Sequence, residues 1–240
     1  MDFDPVFLLT FPFYEKKLEL ADPVVSTPLF EAQDYENEAL RFLGNGEIEK
    51  AVQSLEKAVS IFPGNDSLHC FLGRIFFAQR KFSEAQSAFE KALVLNQHNE
   101  SAIIDFCKIQ LILGDCKNAA SLLQRILEFN PRSDEFYAWS GILLLKEEKQ
   151  IEALQHFEMA LKINPKNFTA HLGRGFTFFV IHLFRDAISS FRDALSICPH
   201  RPEPYKGLAD CFIQVGKEEE YEKYKKFYSV LISKDEFQAL

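Results

Sequence analysis

The sequence predicts an all-α solenoid of antiparallel helix pairs, and three observations carry that prediction. A ladder of Ala153, Phe157, Ala160 and Pro165 recurs as Ala187, Phe191, Ala194 and Pro199. Upstream it appears as Ala85, Phe89 and Ala92, and as Ala51, Leu55, Ala58 and Pro63, all on a 34-residue period. The prolines at 63, 131, 165 and 199 fall on one series, whose vacant member is Gln97. A fixed period of this length is the mark of a stacked repeat, each copy too small to bury its own apolar face.

Composition bounds the function. The 240 residues carry a net charge of −8 with 26% charged and 47% hydrophobic side chains, an ordinary globular balance. That charge argues against broad nucleic-acid binding, which needs a basic footprint. Met1-Asp2-Phe3-Asp4 offers no basic leader, and Pro12 interrupts the apolar run 6–13, so a secretory signal is not expected. No apolar stretch has the length of a membrane span. The five cysteines, at 70, 107, 116, 198 and 211, contain no Cys-x-x-Cys pair, which reads as reduced core thiols in a cytoplasmic protein.

Residues 1–31 stand outside the repeat. Phe3, Phe7, Phe11 and Phe13 alternate with Pro5 and Pro12, and the segment is acidic. Prolines deny it a long helix, and its aromatic content marks it as a docking segment rather than a solvated tail. Six units of 34 residues follow, at 32–65, 66–99, 100–133, 134–167, 168–201 and 202–235, with a tail at 236–240.

Each unit asks the same of the same positions. Position 8 is small where two helices cross: Ala39, Gly73, Cys107, Gly141, Gly175 and Ala209. Position 20 is small for the same reason, with Ala51, Ala85, Ala119, Ala153 and Ala187. Position 24 fills the gap with Leu55, Phe89, Leu123, Phe157 and Phe191, and position 27 is Ala58, Ala92, Ile126, Ala160 and Ala194. Position 32 ends the second helix, since proline lacks an amide hydrogen and disfavours helix before it.

This pattern closely resembles the tetratricopeptide repeat family. The resemblance implies a right-handed superhelix with no catalytic site and no cofactor, whose function is protein binding. Unit 3 departs with Ile126 and Gln110, and unit 6 with Tyr221, Lys225 and Tyr228 in a second helix expected near 217–233. The charges of that helix suit a terminal unit that faces water.

Candidate sites have plainer readings. Asn65, Asn99 and Asn167 begin glycosylation sequons, but they form one column at the unit junctions, where asparagine caps helices. His69 and His171 occupy position 4, an aromatic packing column, and the histidines do not converge. Cys198-Pro199-His200 lacks further ligands, so no metal is expected. Gly173-Arg174-Gly175 lacks the strand and third glycine of a phosphate loop.

In the family the first helices line a concave groove through positions 2, 5, 9 and 12. The residues this assigns here are Arg74, Phe77, Ile104, Lys108, Leu111, Ile142, Leu145, Leu172, Phe176 and Phe179. Ile142, Leu172 and Phe176 are expected to form an exposed apolar patch, with Arg74 and Lys108 ready to meet an acidic residue of a bound segment. The chaperone-tail clamp of some members needs a Lys, Asn and Arg set that no three consecutive units supply. The sequence therefore points to a scaffold or adaptor that binds a protein segment, as a subunit of a larger cytosolic complex. A chaperone for an aggregation-prone or secreted client is the alternative. A further one is self-association into a homo-oligomer through the N-terminal segment, whose residues 3–14 are expected either to occupy this chain's own groove or a neighbour's, or equally to cap repeat 1.

Overall fold

A computed structural model of the chain describes residues 28–238. Among them are twelve α-helices and no strands, so the fold is an all-α helical repeat. The helices are α1 (Pro28–Gly44), α2 (Ile48–Ile61), α3 (Asp66–Ala78), α4 (Phe82–Leu95), α5 (Glu100–Leu113) and α6 (Cys116–Phe129). Then come α7 (Asp134–Lys146), α8 (Gln150–Ile163), α9 (Phe168–Val180), α10 (Phe184–Ile197), α11 (Pro202–Gln214) and α12 (Glu218–Gln238). From α3 onward, every odd-numbered helix starts 34 residues after the last one, and from α2 every even-numbered helix does the same. The chain forms two compact bodies, one up to Ile109 and one from Gln110, with the boundary inside α5.

In the first body α1 pairs with α2, α3 with α4, and α2 packs on α3. In the second, α7/α8, α9/α10 and α11/α12 are the pairs, and α6 on α7, α8 on α9 and α10 on α11 join them. α1 begins at Pro28, ahead of the expected boundary at Ala32, since proline suits the first helical turn where its missing amide is no loss. α12 runs to Gln238, beyond the expected 217–233.

The turns inside the pairs share one backbone. The Lys81 amide donates to the Phe76 carbonyl at 2.9 Å and the Arg80 amide to Phe77 at 2.9 Å. Equivalent bonds link Lys149 to Leu144 at 2.9 Å, Leu183 to Phe178 at 2.8 Å and Lys217 to Phe212 at 2.9 Å. This is the Schellman closure, which needs one residue in the left-handed region. Gly46, Gly114 and Gly216 supply it without steric cost, whereas Arg80, Glu148 and His182 adopt φ of 58°, 60° and 62° with a side chain in place.

Between pairs, the second helices end two residues before position 32. α2, α6, α8 and α10 stop ahead of Pro63, Pro131, Pro165 and Pro199, and α4 stops in the same register although Gln97 replaces the proline. There the Asn96 side chain accepts from the His98 amide at 3.1 Å and donates to Asp66 at 2.9 Å, as Asn164 does with Lys166 and Asp134 beside Pro165. The sequon asparagines cap the next helix: Asn65 accepts from the Ser67 amide, Asn99 from Ala102 and Asn167 from Ala170, at 3.0, 2.9 and 2.8 Å. Ser133 does the same for Phe136 at 2.8 Å. Asn167 is only 3% exposed, a position no glycan could occupy.

The crossing columns form the core. Position 20 alanines, position 24 residues and position 27 residues are all at most 1% exposed. Where position 24 is phenylalanine, glycines hold its ring on both sides in the second body. A Cβ on Gly141 would lie 2.6 Å from the Phe157 ring, and one on Gly173 2.4 Å from it. Phe191 sits likewise between Gly175 and Gly207, at 2.7 and 2.5 Å. α12 closes its pair with an aromatic cluster, in which Tyr224 stacks on Phe212 at 5.4 Å and Phe227 meets Tyr205 at 5.6 Å. The polar outer face expected of this helix is only partial, since Phe227 and Val230 are exposed.

Candidate protein-binding surface

Position 4 ties repeats 2, 5 and 6 to the repeat before each. His69 meets the Pro63 carbonyl at 3.3 Å, His171 meets Pro165 at 2.9 Å, and the Tyr205 hydroxyl donates to Pro199 at 2.8 Å. A carbonyl accepts only, so both histidines donate from Nε2, which in the neutral ring leaves Nδ1 as the acceptor. Near His171, Ser190 and Asp193 assemble a set that superficially suggests a hydrolase. The Ser190 hydroxyl, however, donates to the Asp186 carbonyl at 3.0 Å and accepts from Arg174 Nε at 3.1 Å. Arg174 Nη2 reaches His171 Nδ1 at 3.4 Å and Asp193 at 3.3 Å. The cluster is a clasp between α9 and α10, with its hydroxyl already held.

The residues assigned to the groove separate into buried and accessible groups. In the first body Phe77 and Ile104 are buried, and Phe77 lies edge-on to Phe82 at 5.8 Å. Arg74 and Lys108 were expected to await an acidic partner residue. Instead they share one carboxylate of their own chain: Arg74 Nε donates to Asp105 at 2.6 Å and Lys108 Nζ donates at 2.8 Å. Asp105 occupies position 6 and is nearly fully buried. The burial of Cys70 against this cluster pushes its thiol up to about 12.

In the second body the expected exposed patch is corrected. Ile142 is 1% exposed and Leu172 0%, and Leu111 and Leu145 are also buried. The cause is Gly173, whose missing side chain lets α9 close onto Phe157, with the Ile142 methyl 3.0 Å from the empty Cβ position. Position 5 of repeats 4 and 5 and position 9 of repeat 4 therefore belong to the core here. Phe176 remains half-buried with its edge on Phe191 at 5.0 Å, and Phe179 is half-buried against Phe184 at 5.6 Å. Phe3, Phe7, Phe11 and Phe13 lie outside the described residues.

In the last two repeats, accessible apolar side chains gather instead at the ends of the first helices. Val180, Ile181 and Leu183 in the α9–α10 turn are 41%, 37% and 47% exposed. Ile213 and Val215 at the α11–α12 turn are also exposed, and α9 packs against α11. The corresponding turn of the preceding repeat reads Lys146-Glu147-Glu148-Lys149. Sequence reasoning missed this strip because it looked along positions 5 and 9. The signal was the run Phe179-Val180-Ile181-His182-Leu183-Phe184, apolar where a surface turn is normally polar.

The Tetratricopeptide repeat family model matches residues 36–100, a stretch that runs from α1 to the start of α5. The chain is similar to BBSome complex member BBS4 of Bos taurus, 26% identical over 141 residues, covering 59% of this chain and 27% of that protein. It is also similar to anaphase-promoting complex subunit 3 of Schizosaccharomyces pombe, 20% identical over 168 residues, covering 70% and 25%. The chain thus spans about a quarter of the length of these curated relatives. Among solved structures, the APC/C hetero-tetramer Cut9–Hcn1 superposes with a TM-score of 0.71 at 15% identity, over 84% of this chain and 40% of that one. At that identity the likeness is one of fold. Among the described residues no helix is long and apolar enough to cross a membrane.

Proposed function

We propose that this chain is an adaptor subunit of a larger cytosolic complex, and that it binds a partner segment along the α9–α11 edge of its second body. The observation that carries the reading is the exposed strip of Val180, Ile181, Leu183, Ile213 and Val215, beside the half-buried rings of Phe176 and Phe179. An apolar surface of this continuity normally marks an interaction site, and aromatic or aliphatic anchors in such a strip carry most of the affinity. The fitting partner is a segment with large apolar side chains, since the strip itself offers no cluster of like charge. Similarity to subunits of two multiprotein assemblies favours a resident of a complex over a transiently bound chaperone.

The test copies one repeat onto another. Val180→Lys with Ile181→Glu gives the α9–α10 turn the residues that α7–α8 carries as Lys146 and Glu147 on the same backbone. Affinity purification of tagged wild type and variant, with quantitative mass spectrometry, should show stoichiometric partners lost from the variant. Circular dichroism should show its fold and melting temperature retained. Recovery of the same partners in the same amounts would overturn this placement of the site.

A further inference from the structure

A second concave feature lies on a different helix face. Positions 4, 7 and 11 of a first helix point away from positions 5, 9 and 12, toward the second helices of their own and the preceding repeat. In repeat 2 that face and its neighbours α2 and α4 enclose an open slot of about 480 Å³. Its floor is Val59, Leu72 and Phe76, its rim carries Glu56 and Glu84, and His69 stands at one end. A volume of this size accommodates a large side chain with its flanking backbone.

The molecule itself shows what such a slot holds. In repeat 5 the same register is occupied by Arg174, at position 7 where repeat 2 has Leu72. The guanidinium lies among His171, Ser190 and Asp193, within 3.1 to 3.4 Å of each. His171 matches His69 in position and in its bond to a proline carbonyl, so both present Nδ1 as an acceptor. Leu72 turns into the core and is only 7% exposed, leaving the place of the arginine head unfilled. Of the three groups around Arg174 only the histidine recurs in repeat 2, where Ala88 and Lys91 stand at the positions of Ser190 and Asp193, and the carboxylates come instead from Glu56 and Glu84.

We infer that the repeat 2 slot receives an arginine side chain from a protein partner, in the way the repeat 5 slot receives Arg174 from this chain. The stem lies over Val59 and Leu72, the planar head faces the Phe76 ring, and its donors reach Glu56, Glu84 and His69 Nδ1. Arginine suits this geometry because it combines a long apolar stem, a stacking plane and a fork of donors. The rim is acidic by one net charge across Glu56, Glu84 and Lys91, which favours a cation over an acidic segment. This surface is separate from the α9–α11 strip, so either can fail without the other.

The experiment uses N-acetylarginine amide as the probe and the uncharged isostere N-acetylcitrulline amide as the control, followed by amide NMR shifts on the full chain. Saturable shifts at His69, Leu72 and Ala88 are expected with arginine and not with citrulline. Glu56→Lys with Glu84→Lys, both at exposed positions, should weaken binding about fivefold or more. Arg174→Leu should open a second site, with new shifts at His171 and Ser190. Equal response to citrulline, absence of saturable shifts around His69, unchanged binding in the double variant, or no new site in Arg174→Leu would each overturn the inference.

Discussion

The fit of a phenylalanine ring between glycines sets the spacing of the second body, and it can be tested by a double-mutant cycle. Gly141→Ala places a Cβ 2.6 Å from the Phe157 ring, well inside van der Waals contact. The ring is fully buried and is pressed from the other side by Gly173, so it has nowhere to move. Forcing a methyl into such a core costs about 1–3 kcal/mol. Replacing a helical glycine by alanine returns about 0.5–1 kcal/mol. The net expectation is a loss of about 1–2 kcal/mol, or roughly 2–8 °C in melting temperature for a chain of this size. Phe157→Leu alone should also destabilise, by about 1–2 kcal/mol, because it leaves a cavity. Combined, the smaller leucine vacates the volume that the alanine methyl needs, as Leu55 does beside Ala39. The pair should therefore cost at least about 1 kcal/mol less than the sum of the singles. Urea denaturation followed by circular dichroism measures all four corners, and hydrogen exchange on α7–α9 localises the effect. Additivity to within about 0.3 kcal/mol, or stabilisation by Gly141→Ala alone, would refute the steric account.

Three further outcomes follow from the same geometry. Replacing Glu148 and His182 by glycine removes two side chains from left-handed backbone; it should raise stability by about 1 kcal/mol, read as a higher urea midpoint. His156 is held below its ordinary value of 6.5 by burial, so the folded state keeps it neutral while the unfolded chain takes up a proton. Stability should fall as the pH drops below about 6.5, and His156→Phe, which retains an aromatic ring beside Tyr137, should lose less across that window in parallel thermal melts. Burial pushes the thiols of Cys70 and Cys211 up to about 12; peptide mapping after brief iodoacetamide treatment should find both unlabelled while half-buried Cys116 is modified.

The repeat was legible in the sequence because burial at a helix crossing tolerates so few residue types. Alanine at positions 20 and 27 and a plug at 24 had to recur, and all are in the core. The accessible surface was less legible. Position 6 decides how closely one first helix approaches the preceding repeat, and it reads Asp105, Trp139, Gly173 and Gly207 in turn, without a uniform rule. Gly173 is what buried Ile142 and Leu172, residues whose place on a helical wheel suggested exposure. A finer signal was present in one chain without any relative. Phenylalanine at position 24 occurs only with glycine at position 8, as in Gly73 with Phe89, Gly141 with Phe157 and Gly175 with Phe191. Leucine occurs with Ala39 or Cys107. The ion pair of Arg74 escaped because its partner Asp105 lies 31 residues away, at position 6, outside the groove set of positions 2, 5, 9 and 12.

The Schellman turns carry a consequence for how such a protein can change. Their shape is written in main-chain bonds and one left-handed residue, and it persists whether the side chains are Lys146-Glu147-Glu148-Lys149 or Val180-Ile181-His182-Leu183. Recognition placed there is uncoupled from folding. A lineage can rewrite what the edge adheres to, one turn at a time, while the packing beneath stays as it was.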